Sequence, residues 1–206
     1  MSDRLYLYNK AEIASNEDPC QPFMEWGYEF PLMLQPLVSS RPRIEENSYN
    51  YENDELGLYA DAAGGIAALR RLYEFIDKHA EALVDDIPTF QKARQKIFQL
   101  LDERARHPWF HLDASSIFYD LSTTLYDKDD ELEKVARWYF SQVQKNNDCI
   151  QRAIEQDNPD ILNECPELAG ESWSNSFREM LNFDWYEYGW LVITSMIFDL
   201  EEDDDE

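Results

Sequence analysis

The strongest constraint on the fold of this chain is a pair of adjacent segments, residues 62–84 and 88–106, in which apolar side chains recur every three or four positions. That spacing places them on one face of an α-helix. The two apolar stripes consist of Ile66, Leu69, Tyr73, Ile76, Ala80 and Leu83, and of Phe90, Ala93, Ile97, Leu100 and Leu101. Asp61 can cap the first helix and Pro88 can open the second. The short link at 84–87 predicts an antiparallel helical hairpin.

Three more helices are predicted downstream of this hairpin. Asp113 can cap the first, a second spans about 128–156, and Ser172 can cap the third. Asn146 and Asn147 place a polar break midway along the apolar stripe of the second.

Few strands are expected. Leu5 and Leu7 alternate with tyrosines within residues 3–9, which predicts a short buried strand. A short helix is favoured at 29–38, with a strand as the alternative, and the apolar run at 185–198 fits either structure.

These patterns together predict a mainly α fold. A single globular domain over residues 1–198 would contain about five to six helices in antiparallel hairpins, a short N-terminal β-strand, and one or two further short strands if the ambiguous segments are extended. Residues 199–206 form an acidic tail that we expect to be disordered.

The chain is strongly acidic, with 43 acidic residues against 18 basic ones and a net charge of −25. The tail holds seven of the acids, and the rest of the chain still carries −18, which indicates an acidic body. Such a charge disfavours direct binding to nucleic acid or to an anionic membrane, and it favours a basic partner through electrostatic steering. Solubility alone is an equally good explanation of the charge.

The sequence predicts a cytoplasmic protein. It contains no apolar run long enough to span a membrane, and its start lacks the pattern of a signal peptide. Cys20, Cys149 and Cys165 are an odd, scattered set, which suits free thiols in a reducing compartment.

No motif predicts an enzyme, a cofactor or a metal. The sequence has no glycine-rich phosphate-binding loop and no nucleophile elbow. The best metal candidate is the pair His107 and His111, four residues apart, but Pro108 between them places the pair at a helix end, where a shared face is not expected. An aromatic plug at the end of the helical hairpin is the favoured interpretation of this segment.

The polar segment 39–61 is the candidate partner-binding region, and it is predicted to be a loop. Tyrosines combined with carboxylates offer rigid contact area and charge complementarity to a basic surface. A mobile surface loop is the equally weighted alternative. The candidate binding residues are Glu45, Glu46, Tyr49, Tyr51, Glu52, Asp54 and Glu55.

Two N-terminal stretches carry a family resemblance. The opening Ser2-Asp3-Arg4-Leu5-Tyr6-Leu7-Tyr8 resembles the "NRSYLY"-type start of small bacterial cytoplasmic proteins. Glu25-Trp26-Gly27-Tyr28-Glu29-Phe30-Pro31-Leu32, with Leu37-Val38-Ser39 after it, resembles their "EWNYDIPL…LLS" segment, although Gly27 replaces a polar residue and Pro36 interrupts the segment.

The group resembles the immunity proteins of polymorphic or secreted toxin systems and supplies no catalytic residue. The resemblance implies an immunity protein that neutralises a cognate toxin, which the acidity predicts to be basic, by direct stoichiometric binding. The alternative is an acidic adaptor or nucleic-acid mimic that occupies a basic groove of another protein.

Overall fold

A five-stranded antiparallel sheet forms the centre of the computed structural model, which describes residues 4–13, 22–27, 30–46, 56–115, 117–118, 132–165 and 177–182. The strands are β1 (Arg4–Lys10), β2 (Met24–Gly27), β3 (Arg43–Glu46), β4 (Leu56–Asp61) and β5 (Trp109–Asp113). Their order across the sheet is β2-β1-β5-β4-β3, so β5 is the central strand and β2 and β3 are the edges.

The helices are five α-helices and two 3₁₀-helices within the described residues. They are η1 (Leu32–Val38), α1 (Ala62–Lys78), α2 (Ala80–Leu83), α3 (Ile87–Arg104), α4 (Leu132–Glu155), η2 (Pro159–Glu164) and α5 (Phe177–Asn182). None of them is long and apolar enough to cross a lipid bilayer.

The expectation of a mainly α fold is therefore wrong, and the chain has a mixed α/β fold. Two of the strands, β3 and β4, lie inside the segment 39–61 that was predicted to be a loop. The central strand β5 replaces the predicted aromatic plug at a helix end. The first five residues of β4 and the middle three of β5 are buried whichever way they point, so these strands lack the polar alternation that identifies a half-exposed strand.

The strand predicted at residues 3–9 is present as β1. Leu7 lies opposite Leu112 of β5, which in turn lies opposite Leu58 of β4. Because residues opposite each other in antiparallel strands share a face, these leucines form one continuous apolar row. All three are buried against the core that η1, α1 and α4 share with the sheet.

The predicted helical hairpin is confirmed as α1 and α3. The Asp61 carboxylate accepts a hydrogen bond from the Gly64 amide at 2.8 Å and so caps α1, as expected. The rings of Tyr73 and Phe98 meet edge to face at 5.5 Å between centroids, and Arg70 pairs with Asp102 at 2.7 Å. The first predicted helix extends less far than expected, because α1 ends at Lys78 and the separate short helix α2 follows.

The long predicted helix is present as α4, which runs without interruption through the polar pair Asn146 and Asn147 in its apolar stripe. Both amides are buried and donate hydrogen bonds to Gln35 of η1, Asn146 to the side-chain oxygen at 2.9 Å and Asn147 to the carbonyl oxygen at 3.2 Å. Gln35 in turn donates to the carbonyl oxygen of Phe30 at 2.9 Å. Since buried polar groups need partners, these amides fix η1 against α4.

The remaining sequence predictions have mixed outcomes. The short helix predicted at 29–38 is present as η1, which begins after Pro31 and contains Pro36. Ser172, the apolar run 185–198 and the acidic tail 199–206 lie outside the described residues.

Candidate functional site on the second face of the sheet

The sheet has a second face, opposite the one that packs on the helices, and its side chains are polar or aromatic. The cross-strand pairs Tyr8–His111, His111–Tyr59 and Tyr59–Arg43 run across it from β1 to β3. Lys10, opposite Trp109, lies on the same face. We call the set Tyr8, Lys10, Arg43, Tyr59, Trp109 and His111 the polar face.

His111 on the central strand is the middle of the polar face. Its ring stacks on Tyr59 with the planes 4° apart and the centroids at 4.2 Å, and Tyr8 stacks at 5.6 Å on its β1 side. His111 and Tyr59 are both 0% exposed. Histidine is therefore one of three stacked rings that join three strands of the sheet.

Gly57 on β4 is what leaves room for this ring. A Cβ atom at position 57 would lie 2.2 Å from Nε2 and 2.8 Å from Cδ2 of His111. Both distances are well inside van der Waals contact, so a side chain at this position would displace the imidazole or the strand. Only glycine is compatible with the observed position of the His111 ring.

The electrostatics of the polar face keep His111 neutral. Burial lowers the pKa of His111 well below its usual value, and the ammonium group of Lys10 lowers it further. Lys10 is itself only 5% exposed, with its Nζ 5.8 Å from the centroid of the Tyr59 ring. A neutral, fully buried imidazole cannot reach a substrate in solution, so this arrangement suits stacking and strand positioning rather than acid–base catalysis.

The predicted binding residues lie at the β3 edge of the polar face, as far as the structure describes them. Glu45 is exposed on β3 and faces Gly57, and Glu46 is the last residue of the strand. Arg43 is exposed beside them, with its guanidinium 5.6 Å from the ring centroid of Trp109. Five of the predicted residues lie outside the described residues: Tyr49, Tyr51, Glu52, Asp54 and Glu55.

The two histidines considered for a metal are separated by strand geometry. His107 is exposed and precedes β5, whereas His111 is buried within the strand. Four residues of extended chain span about 13 Å, which is too far for one ion to bind both rings. Within the described ranges, no three His, Cys, Asp or Glu side chains are grouped so that they could hold a metal.

Sequence reasoning missed Tyr8, Gly57 and Tyr59 as parts of one site. The one available signal was Gly57, a glycine between two leucines in a buried run, because such a glycine often marks a close approach to another group.

The negative charge is distributed very unevenly along the chain. The described residues contain 17 of the 18 basic residues and 20 of the 43 acidic ones, which leaves them with a net charge of −3. The remaining segments contain the other 23 acidic residues and a single basic one, Lys128. The acidic body of residues 1–198, which carries −18, therefore lies only partly within the described residues.

Comparison with known proteins identifies a family but no characterised relative. A search of curated proteins and a search of solved structures each found no match. The model of one family matches residues 10–159, which include every strand of the sheet except most of β1, and the helices from η1 to α4. Because this match covers more than half of the chain, the protein belongs to the family described as domain of unknown function (DUF7822).

Proposed function

We propose that this protein is a cytoplasmic immunity protein that binds a cognate, basic bacterial toxin domain and neutralises it by direct stoichiometric binding. The observation that carries the proposal is the net charge of −25, of which residues 1–198 carry −18 without the acidic tail. Such an excess favours encounter with a basic partner.

An acidic segment follows the edge strand β3 in the sequence. Residues 47–55 follow directly after β3, an edge strand on which Glu45 is exposed. The segment contributes Glu52, Asp54 and Glu55 together with two tyrosines. Tyrosines beside carboxylates are suited to a protein interface, since the rings give contact area and the carboxylates complement a basic surface.

The charge would act mainly on the rate of association. Opposite net charges raise the local concentration of the partner and accelerate encounter, and salt screens the effect. A toxin domain that acts on nucleic acid needs a basic surface, and an acidic protein bound there would block that surface.

The direct test is co-expression of this protein with the product of the neighbouring gene, followed by copurification. We expect rescue of growth and a one-to-one complex whose association rate falls steeply as ionic strength rises. Absence of both rescue and complex would overturn the proposal.

A matched pair of variants tests the proposed binding segment. Glu45→Gln, Glu52→Gln, Asp54→Asn and Glu55→Gln together remove four charges from residues 45–55 and should lower the association rate about tenfold or more. The control removes four exposed carboxylates from the helices: Glu74→Gln, Glu81→Gln, Asp148→Asn and Glu155→Gln. An equal loss of rate in both variants would show that only total charge matters.

An acidic adaptor or nucleic-acid mimic is the second candidate function, and the same net negative charge supports it. With 43 acidic residues against 18 basic ones, the chain has the same sign of charge as a phosphate backbone. Capture of a nucleic-acid-binding protein encoded away from this gene, released by added DNA, would favour this function over the first.

A further inference from the structure

Two of the three cysteines meet where the end of α4 packs against η2. Cys149 is buried on α4, and its thiol donates to the carbonyl oxygen of Ile161 in η2 at 3.2 Å. Cys165 directly follows η2, and its amide donates to the carbonyl oxygen of Leu162, the residue next to Ile161. Both are free thiols in this structure.

The turn between the two elements is firmly fixed, so the thiols are held together by the fold. Asp157 has a positive φ of 51°, and its carboxylate binds Lys78 at 2.6 Å and His79 at 3.0 Å. Asn158 caps η2 by accepting from the Asp160 amide at 3.1 Å. The chain therefore reverses onto α4 without any contribution from a covalent link.

A polar groove leads to Cys149. Gln142, Lys145, Asp148, Arg152 and Glu164 line it together with Cys149. The Arg152 guanidinium lies 3.7 Å from the sulfur of Cys149 and also pairs with Glu164. Cys165 is partly buried, whereas Cys149 is buried, so Cys165 is the more exposed of the two residues.

We propose that Cys149 and Cys165 are a site of oxidative modification, at which hydrogen peroxide converts the two thiols into an intramolecular disulfide. The Cys165 thiolate attacks one peroxide oxygen, the O–O bond breaks, and Cys165 becomes a sulfenic acid as one water leaves. The Cys149 sulfur then attacks the Cys165 sulfur, the S–O bond breaks, and the second thiol proton leaves with a second water. Two thiols are oxidised and one peroxide is reduced to two waters.

The disulfide would link α4 to Cys165, the residue that directly follows η2. Burial, together with the neighbouring Cys149 thiol, raises the pKa of the Cys165 thiol. The reactive thiolate is therefore scarce at neutral pH, and the reaction should be slow there. The disulfide is accordingly expected to form slowly. Fast peroxide sensors differ, because their reactive cysteines have a low pKa.

The experiment is exposure of the full-length protein to hydrogen peroxide, alkylation of the remaining thiols, tryptic digestion and mass spectrometry. Trypsin places Cys149 in residues 146–152, Cys165 in 153–178 and Cys20 in 11–43. We expect a linked pair of the first two peptides, absent after reduction. Its rate of formation should rise roughly tenfold per pH unit from pH 7 to pH 9, as the thiolate fraction rises.

Three variants separate the proposal from other thiol chemistry. Cys20→Ser should leave the linked pair unchanged, whereas Cys149→Ser and Cys165→Ser should each abolish it. Thermal unfolding of the reduced variants checks that both remain folded. If either variant is unfolded, the identity of the linked peptides in the wild-type digest is the test of the proposal. A link through Cys20, a link between two chains, or full alkylation of Cys149 and Cys165 after peroxide at pH 9 would overturn the proposal.

Discussion

The two faces of the sheet each contain fully buried side chains but are built in different ways. The helix-facing side is a row of leucines that any packing of apolar side chains of similar volume would satisfy. The polar face carries His111 at 0% exposure, and it depends on stacked rings and on a glycine whose missing side chain leaves their space. The comparison teaches that buried side chains are accommodated in two ways in this sheet. One face relies on apolar area, and the other relies on the fit of stacked rings against a glycine.

The largest effect is expected on the helix-facing side. Leu112→Ala would remove a fully buried side chain from the central strand, and it should lower the free energy of unfolding by about 2–5 kcal/mol. Urea denaturation measures the loss. A loss below that of polar-face substitutions would mean that the leucine row is not the main source of stability.

The next effect concerns the shape of the polar face. Gly57→Ala should lower the free energy of unfolding by about 1–3 kcal/mol, because its Cβ would overlap the His111 ring. His111→Ala combined with Gly57→Ala would relieve the overlap. The double variant should therefore be more stable than the sum of the two single losses predicts, and simple additivity would contradict the steric explanation.

The third effect is a pH dependence that originates on the polar face alone. Because the pKa of His111 is lowered in the folded protein, the unfolded chain binds a proton below about pH 6.5 that the folded chain does not. The free energy of unfolding should therefore decrease as the pH falls from 6.5 to 5, by up to about 1.4 kcal/mol per pH unit. Denaturation of wild type and of His111→Gln at several pH values isolates this contribution, with exposed His107→Gln as the matched control.

The smallest effect is expected at the exposed rim of the polar face. Arg43→Ala removes the guanidinium that lies 5.6 Å from the Trp109 ring centroid, and it should cost about 0.5–1 kcal/mol. A double-mutant cycle with Trp109→Leu measures the coupling directly. A coupling energy near zero would mean that the contact between Arg43 and Trp109 adds nothing to the stability that the buried rings provide.

The helices were predictable because their signals are local. The stripe through Leu69 and Tyr73 and the cap at Asp61 lie within a few residues of what they specify, and each is present in the structure. The sheet was not predictable in this way, because β4 and β5 are buried without alternation and are recognisable only once paired. The long-range pairs that build the polar face, Tyr8 with His111 and His111 with Tyr59, join residues about 100 and 50 positions apart.

The candidate site was predicted in part. The sequence singled out His111 and Glu45, but it assigned the first to a helix end and the second to a loop. Both residues are on strands, but the causes of the error differ. The strand β5 is buried on both sides and has no periodicity that distinguishes it from other apolar segments. The edge strand β3 has only four residues, which are too few to show an alternation.

The composition of the sheet's two packed layers has an evolutionary consequence. The leucine row (Leu7, Leu58 and Leu112) and the stacked rings (Tyr8, Tyr59 and His111) contain no acidic residue. Exposed acidic residues such as Glu74 and Asp148 can therefore be exchanged without disturbing either layer. Members of such a lineage can diverge in surface charge while they inherit one scaffold unchanged.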